Sequence, residues 1–298
     1  MLAKAPSLPA DHVFLDLEDS VAPSAKAPAR AAVTDALKEQ DWSGKTVTVR
    51  INAVETKWAA DDIQTVVEGA GEHIHCIIIP KVQHAHEVLF VDHFLRMIEA
   101  NMGLGTPIGI EAQIETAVGL QNIDEVARSS GRLEALVFGP ADMSASLGLP
   151  TVSVGGLAEG YPGDQWHWVL ETILVAARGA NLQAIDGPYL AIQDLDGLRA
   201  SAIRAQALGY DGKWALHPSQ IDPLNEVFTP PQDVYDKAEA ILEAYEHSTE
   251  KDEVGAVMFG NEMIDEASRK MALRLAERGR AAGLNRQESL RDFTIADE

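Results

Sequence analysis

The sequence predicts an α/β barrel of parallel strands followed by a helical C-terminal extension. Three observations lead there. Short apolar runs alternate with longer amphipathic stretches, the rhythm of strands joined by crossover helices. Several runs carry one polar face, whereas the strands of a doubly wound sheet, buried on both sides, read as nearly continuous hydrophobics. Charged residues also gather at the C-terminal ends of the runs, where the sites of barrels lie.

Run 13–18 places Asp16 and Glu18 on one face and ends at Glu18-Asp19. A helical pattern over 25–39 follows. In run 46–52, Thr46, Thr48, Arg50 and Asn52 share one face and Val47, Val49 and Ile51 the other. Run 76–81 opens with the only cysteine, Cys76, ahead of three isoleucines, and reads as a packed core thiol. After a helical stretch over 84–100, run 107–115 aligns Glu111, Gln113 and Glu115. A helical pattern over 120–130 leads to run 135–140, with Asp142 just beyond it. The segment 147–163 is Gly-rich and irregular, and reads either as a lid over a site or as a passive surface loop. Helical patterns over 164–180 and 194–208 bracket run 183–186, and the last run is 213–217. The count is seven strands. Residues 218–298 read as a mostly helical extension, broken at Pro230-Pro231 and again over 255–260.

Composition excludes several classes. The 298 residues carry 46 Asp and Glu against 24 Lys and Arg, a formal net charge of −22. Such an acidic chain lacks the basic field that nucleic acid or an anionic membrane surface requires. No run approaches the ~18 apolar residues of a membrane span, and no apolar stretch of signal-peptide type opens the chain. A soluble, cytoplasmic protein is expected, and a single Cys fits a reducing compartment. A G-x-G-x-x-G turn after the first strand and a P-loop are both missing, so nucleotide folds are disfavoured.

The carboxylates carry most of the chemical information. Glu115 and Asp142 end neighbouring strands with no Cys or His cluster beside them, which suits a hard divalent cation, Mg²⁺ or in its place Mn²⁺. Glu18 and Asp19 could hydrogen-bond the waters of such an ion. Taken singly, any of these acids could equally be a solvated surface group or a helix cap. Arg50 would supply a fixed positive charge beside the metal for a carboxylate or a developing enolate; the alternative is a structural ion pair. His217 could act as a base or be a structural histidine. His73, His75, His84 and His86 lack zinc spacing.

The segment from Phe14 to Pro23, Phe-Leu-Asp-Leu-Glu-Asp-Ser-Val-Ala-Pro, resembles the HpcH/HpaI aldolase and citrate lyase β-subunit family. Further matches follow in the family's order: Val49-Arg50-Ile51-Asn52, Ile79-Pro80-Lys81-Val82, Ile114-Glu115-Thr116-Ala117-Val118-Gly119, Phe138-Gly139-Pro140-Ala141-Asp142, Ala184-Ile185-Asp186-Gly187-Pro188, Lys213-Trp214-Ala215-Leu216-His217-Pro218 and Gly260-Asn261-Glu262-Met263-Ile264-Asp265. Within the family the chain is most similar to the acyl-CoA branch of malyl-CoA, β-methylmalyl-CoA and citramalyl-CoA lyases. The resemblance implies a TIM (β/α)8-type barrel over 1–217, a helical extension over 218–298, and a trimer or hexamer. It implies Glu115 and Asp142 as Mg²⁺ ligands, Glu18 and Asp19 supporting the metal waters, and Arg50 on the thioester carbonyl. It further implies that Asp265 reaches a neighbouring subunit's site as acid/base. The reaction implied is retro-Claisen cleavage of a 3-hydroxyacyl-CoA to an acyl-CoA and an oxo acid. Three other outcomes stay open: malyl-CoA hydrolysis by a thioesterase, an aldolase on free oxo acids, and a non-catalytic subunit of a larger lyase. Lys26, Arg30 and Lys81 are expected to form a basic patch for the CoA phosphates within the acidic surface.

The chain departs from the family at its start. Members usually begin with one more strand and a Val-Pro-Gly-like turn, so the first of eight barrel strands is expected to be missing here.

Overall fold

The computed structural model describes residues 2–150, 156, 158, 160–251 and 256–288. Two compact units divide the chain, residues 1–225 and 226–298.

In the first unit, seven parallel strands lie in sequential order: β1 (His12–Asp16), β2 (Thr46–Arg50), β3 (Cys76–Ile79), β4 (Gly109–Ile114), β5 (Leu133–Phe138), β6 (Gln183–Asp186) and β7 (Gly212–Lys213). Each is joined to the next by helix: α1 (Lys26–Glu39), α2 (Ala59–Ala70), α3 (Ala85–Met102), α4 (Ala117–Gln121) with α5 (Ile123–Ala127), α6 (Pro140–Leu147) with α7 (His167–Gly179), and α8 (Leu195–Leu208). A further helix, α9 (Ile221–Phe228), follows. The single helix expected over 120–130 is therefore two short ones, and α2 was not expected at all. The Gly-rich segment read as a lid or loop lies partly outside the described residues, which omit 151–155, 157 and 159.

Strand chemistry explains why the sheet curls. In β2 and β4, Val47, Val49, Ile110, Ala112 and Ile114 have no exposure because the helices cover that face. The alternate residues, Thr48, Glu111 and Gln113, are buried as well, on the opposite face. A hydrophobic layer gathers there from well-separated strands. Ile78 of β3, Val137 of β5 and Trp214 after β7 form one cluster, with Phe14 of β1 and Ile185 of β6 packed on it. Phe14 stacks on Trp214 with ring centroids 4.3 Å apart, so the first and last strands of the sheet come together. Four of these side chains come from alternate strands, the layering of a barrel interior.

Local signals set the helix ends. His84 and Glu87 form a reciprocal cap at the start of α3, and Gly103, at φ 69°, ends it. Thr116 caps α4 and Asp194 caps α8. Outside the barrel, Arg132 ties β5 to α3 through Asp92 at 2.8 Å and Glu99. The buried Lys213 ammonium meets Asp186 at 2.6 Å, locking β7 to β6.

The second unit packs α10 (Gln232–Lys251) against α11 (Glu266–Ala281) through Tyr235, Ala238, Ala272 and Ala276. A hairpin of β8 (Val257–Phe259) and β9 (Glu262–Ile264) interrupts the helical pattern where the glycines stand. No helix among the described residues is long and apolar enough to cross a membrane.

Candidate active site

The site assembles where the sequence places charge at strand ends. β1 ends at Asp16, whose carboxylate accepts the backbone N–H groups of Glu18 at 2.9 Å and Ser20 at 3.1 Å. These bonds shape the turn that carries Glu18 and Asp19. Arg50, in register with Asp16 at the end of β2, forks onto it through Nε and Nη2, both at 2.8 Å. Its Nη1 reaches Glu18 at 3.3 Å. Burial works to raise the Asp16 carboxyl, but the hydrogen bonds and charge of Arg50 outweigh it and hold it at about 2. Arg50 keeps its charge for the same reason, burial being overcome by Asp16 and then Glu18.

Glu115 follows β4 and is 2% exposed. Its Oε1 accepts the backbone N–H of Lys81 at 2.8 Å and its Oε2 accepts from Gln113 Nε2 at 2.7 Å. Burial, then the negative charge of Asp142, push the Glu115 carboxyl up to about 8. Gly139 makes the close packing here possible. A Cβ on it would lie 2.2 Å from Glu115 Oε2 and 2.4 Å from Glu115 Cβ. Asp142 stands in the first turn of α6, behind Pro140, with its side chain one-third exposed.

Lys81 bridges the acidic set. Its ammonium bonds Glu18 and lies 3.4 Å from Asp19 and 3.6 Å from Asp142. Burial would lower it, but Glu18 and the other carboxylates raise it. Its backbone is left-handed, at φ 54°, a conformation a Lys rarely adopts. Glu18 itself is raised, burial outweighing Lys81 and Arg50.

The expected basic patch does not form. Lys26 is 6% exposed and its ammonium donates to the Leu17 and Glu18 carbonyls at 2.8 and 2.7 Å. Arg30 is buried against Asp62, Nε to Oδ1 at 2.6 Å, with Asp61 at 3.6 Å. Both cations are consumed by the fold, Lys26 pinning the loop that carries Glu18. Lys81 faces carboxylates rather than open surface. His217 caps a short helical turn, its Nδ1 accepting the Ser219 N–H at 3.2 Å. Asp265 lies in the second unit and caps α11, accepting from Ala267 and Ser268 at 2.9 and 3.0 Å.

Asp16 was not singled out by the sequence reading, although its shared face with Glu18 was visible. Among the described residues no group of three or more His, Cys, Asp or Glu is arranged to hold a metal by itself. A two-carboxylate site nevertheless fits a hard cation. The donors are oxygen only, Glu115 is buried beside a second carboxylate that its charge opposes, and each Glu115 oxygen carries a single N–H bond, leaving lone pairs free.

The profile of the HpcH/HpaI aldolase/citrate lyase family matches residues 1–218. The chain belongs to this family. Among family relatives, an L-malyl-CoA/β-methylmalyl-CoA lyase of Cereibacter sphaeroides is 40% identical over 272 residues, covering 88% of this chain and 85% of that protein. A (3S)-malyl-CoA thioesterase of the same species is 32% identical over 261 residues, covering 87% and 83%. The structure of CitE from Mycobacterium tuberculosis, in complex with magnesium, acetoacetate and coenzyme A, is 30% identical and aligns with a TM-score of 0.70 over 93% of this chain and 91% of that one.

Proposed function

We propose that this chain is a Mg²⁺-dependent carbon–carbon lyase that splits a 3-hydroxyacyl-CoA, of the malyl-CoA or methylmalyl-CoA type, into an acyl-CoA and glyoxylate or another oxo acid. One observation carries the reading: a charged, doubly anchored guanidinium stands in the same cluster as the buried Glu115 and the one-third-exposed Asp142, at the strand ends of a barrel. The 40% identity to a malyl-CoA/β-methylmalyl-CoA lyase supports it.

Glu115 and Asp142 would hold the Mg²⁺, with Glu18 and Asp19 beside its waters. When bound, the ion would supply Lewis acidity and a template for the hydroxy-acid end of the substrate. Arg50 takes the thioester carbonyl oxygen. Loss of the substrate hydroxyl proton turns the C–O bond into a carbonyl, the adjacent C–C bond breaks, and its electrons pass to the acyl-CoA carbon as an enolate. Arg50 stabilises that oxygen because its charge is held in place before the reaction begins. Protonation at the enolate carbon completes the cleavage, and the reverse sequence is a condensation. Asp265 would be the acid/base, delivered by the extension of a neighbouring subunit in a trimer or hexamer. The surroundings of this chemistry would be the cytoplasm, consistent with a lone, buried Cys76.

Hydrolysis to free malate is the second reading, favoured by the thioesterase relative. Incubation with malyl-CoA, with Mg²⁺ or with EDTA, separates the two. Glyoxylate and acetyl-CoA formed only with metal support the lyase. Malate and free CoA support the thioesterase, and no turnover of any 3-hydroxyacyl-CoA refutes both.

A further inference from the structure

Arg50 is held from several sides. Asp16 takes the Nε and Nη2 hydrogens as a side-on fork, and the Glu18 carboxylate lies 3.3 Å from Nη1 as an ion pair. Of five N–H donors, the fork on Asp16 uses two, leaving one on Nη2 and both on Nη1, beside Glu18. The guanidinium carbon lies 5.6 Å from the Phe14 ring and 5.6 Å from the Trp214 ring, which stack on each other. Side-chain exposure is only 11% for Arg50 and 13% for Asp16.

We propose that Asp16 is a positioning residue for Arg50, and that the Phe14–Trp214 stack sets the plane of its guanidinium, so that the remaining Nη hydrogens are aimed at the substrate before it arrives. An unanchored arginine samples many rotamers and must be ordered on each turnover. Here a bidentate carboxylate fixes the in-plane direction, and the stacked Phe14–Trp214 pair flanks the guanidinium and limits its tilt. The kinetic part of this inference rests on the lyase reading above; the structural part does not.

Crystal structures of the full chain with and without Asp16→Asn give the first test. The Arg50 guanidinium should move by about 1 Å or more while the backbone of β1 and β2 stays in place, and such a displacement is large enough to cost about 100-fold in rate. Kinetics on malyl-CoA with Mg²⁺ give the second. Asp16→Asn should lower kcat about 100-fold and leave KM within about threefold. Trp214→Leu should lower kcat about tenfold. In an Arg50→Lys background, Asp16→Asn should change kcat less than about twofold, because the residue it acts through is gone. Since Asp16 also bonds the Glu18 and Ser20 backbone, a purely structural role would reduce activity equally in both backgrounds, and that additivity overturns the proposal. An unmoved guanidinium overturns it too. Should Asp16→Asn not fold, Trp214→Phe and Trp214→Leu are compared in the same two measurements, with only the leucine expected to displace Arg50. If the wild-type enzyme cleaves no 3-hydroxyacyl-CoA, the lyase reading falls, while the position of Arg50 still decides the anchoring.

Discussion

Glu115 is pushed up to about 8 by burial and by Asp142, so near pH 7 its carboxyl is mostly protonated in EDTA-treated protein. A metal ligand must give that proton up. Mg²⁺ affinity should therefore rise about tenfold per pH unit between pH 6 and 7.5 and level off above about pH 8. At pH 7 Mg²⁺ binding should be accompanied by net proton release. Calorimetric titration in two buffers of different ionisation enthalpy, such as phosphate and Tris, counts the protons directly. Repeating it across the pH range gives the slope. Glu115→Gln should abolish both the binding and the release. A Kd that stays constant from pH 6 to 8, or a proton count near zero at pH 7, would refute the assignment of Glu115 as a buried, proton-loaded ligand.

Further expectations follow from single contacts. Gly139→Ala would drive a methyl into Glu115, so Mg²⁺ binding by calorimetry should be lost while the fold, by circular dichroism, persists. Lys81→Gln removes a cation 3.6 Å from Asp142 and should tighten Mg²⁺ binding up to about tenfold; weaker binding would mean that Lys81 supports the ion. Arg30→Ala strands Asp62 in the interior and should cost about 3–5 kcal/mol in denaturant unfolding, with KM for the CoA ester unchanged. Glu111, pushed up to about 8 by burial and then Glu134, binds a proton in the folded state that the unfolded chain releases near pH 4.5. Its contribution to stability is complete below about pH 4.5 and is lost as pH rises towards 8. Glu111→Gln should thus gain in relative Tm between pH 5 and 8, and a parallel Tm profile would exclude this role.

Much of the barrel was legible because strand periodicity is a local signal. The alternation of Thr46 to Asn52 and the row Glu111, Gln113, Glu115 reported an inner polar face directly, and the charges at strand ends pointed to the candidate site. Two kinds of information were not local. Whether Lys26 and Arg30 face solvent depends on the carbonyls and carboxylate that the fold brings to them, at Leu17, Glu18 and Asp62, and a helical pattern with basic residues does not encode those partners. The role of Asp16 was hidden for the same reason, since its partner stands 34 residues away on the next strand. The short β7 and the split helix after β4 reflect tertiary packing that overrides the local pattern.

The stack of Phe14 on Trp214 has a bearing on how the site comes into being. The two rings are separated by 200 positions in the chain, and closing so long a loop costs about 5 kcal/mol of chain entropy before any contact repays it. Such contacts form late, after the nearest-neighbour strand pairs have zipped. Arg50 therefore acquires its full setting only when the barrel has closed. The fork on Asp16 spans the neighbouring strands β1 and β2, whereas the aromatic side of the Arg50 setting awaits closure of the barrel.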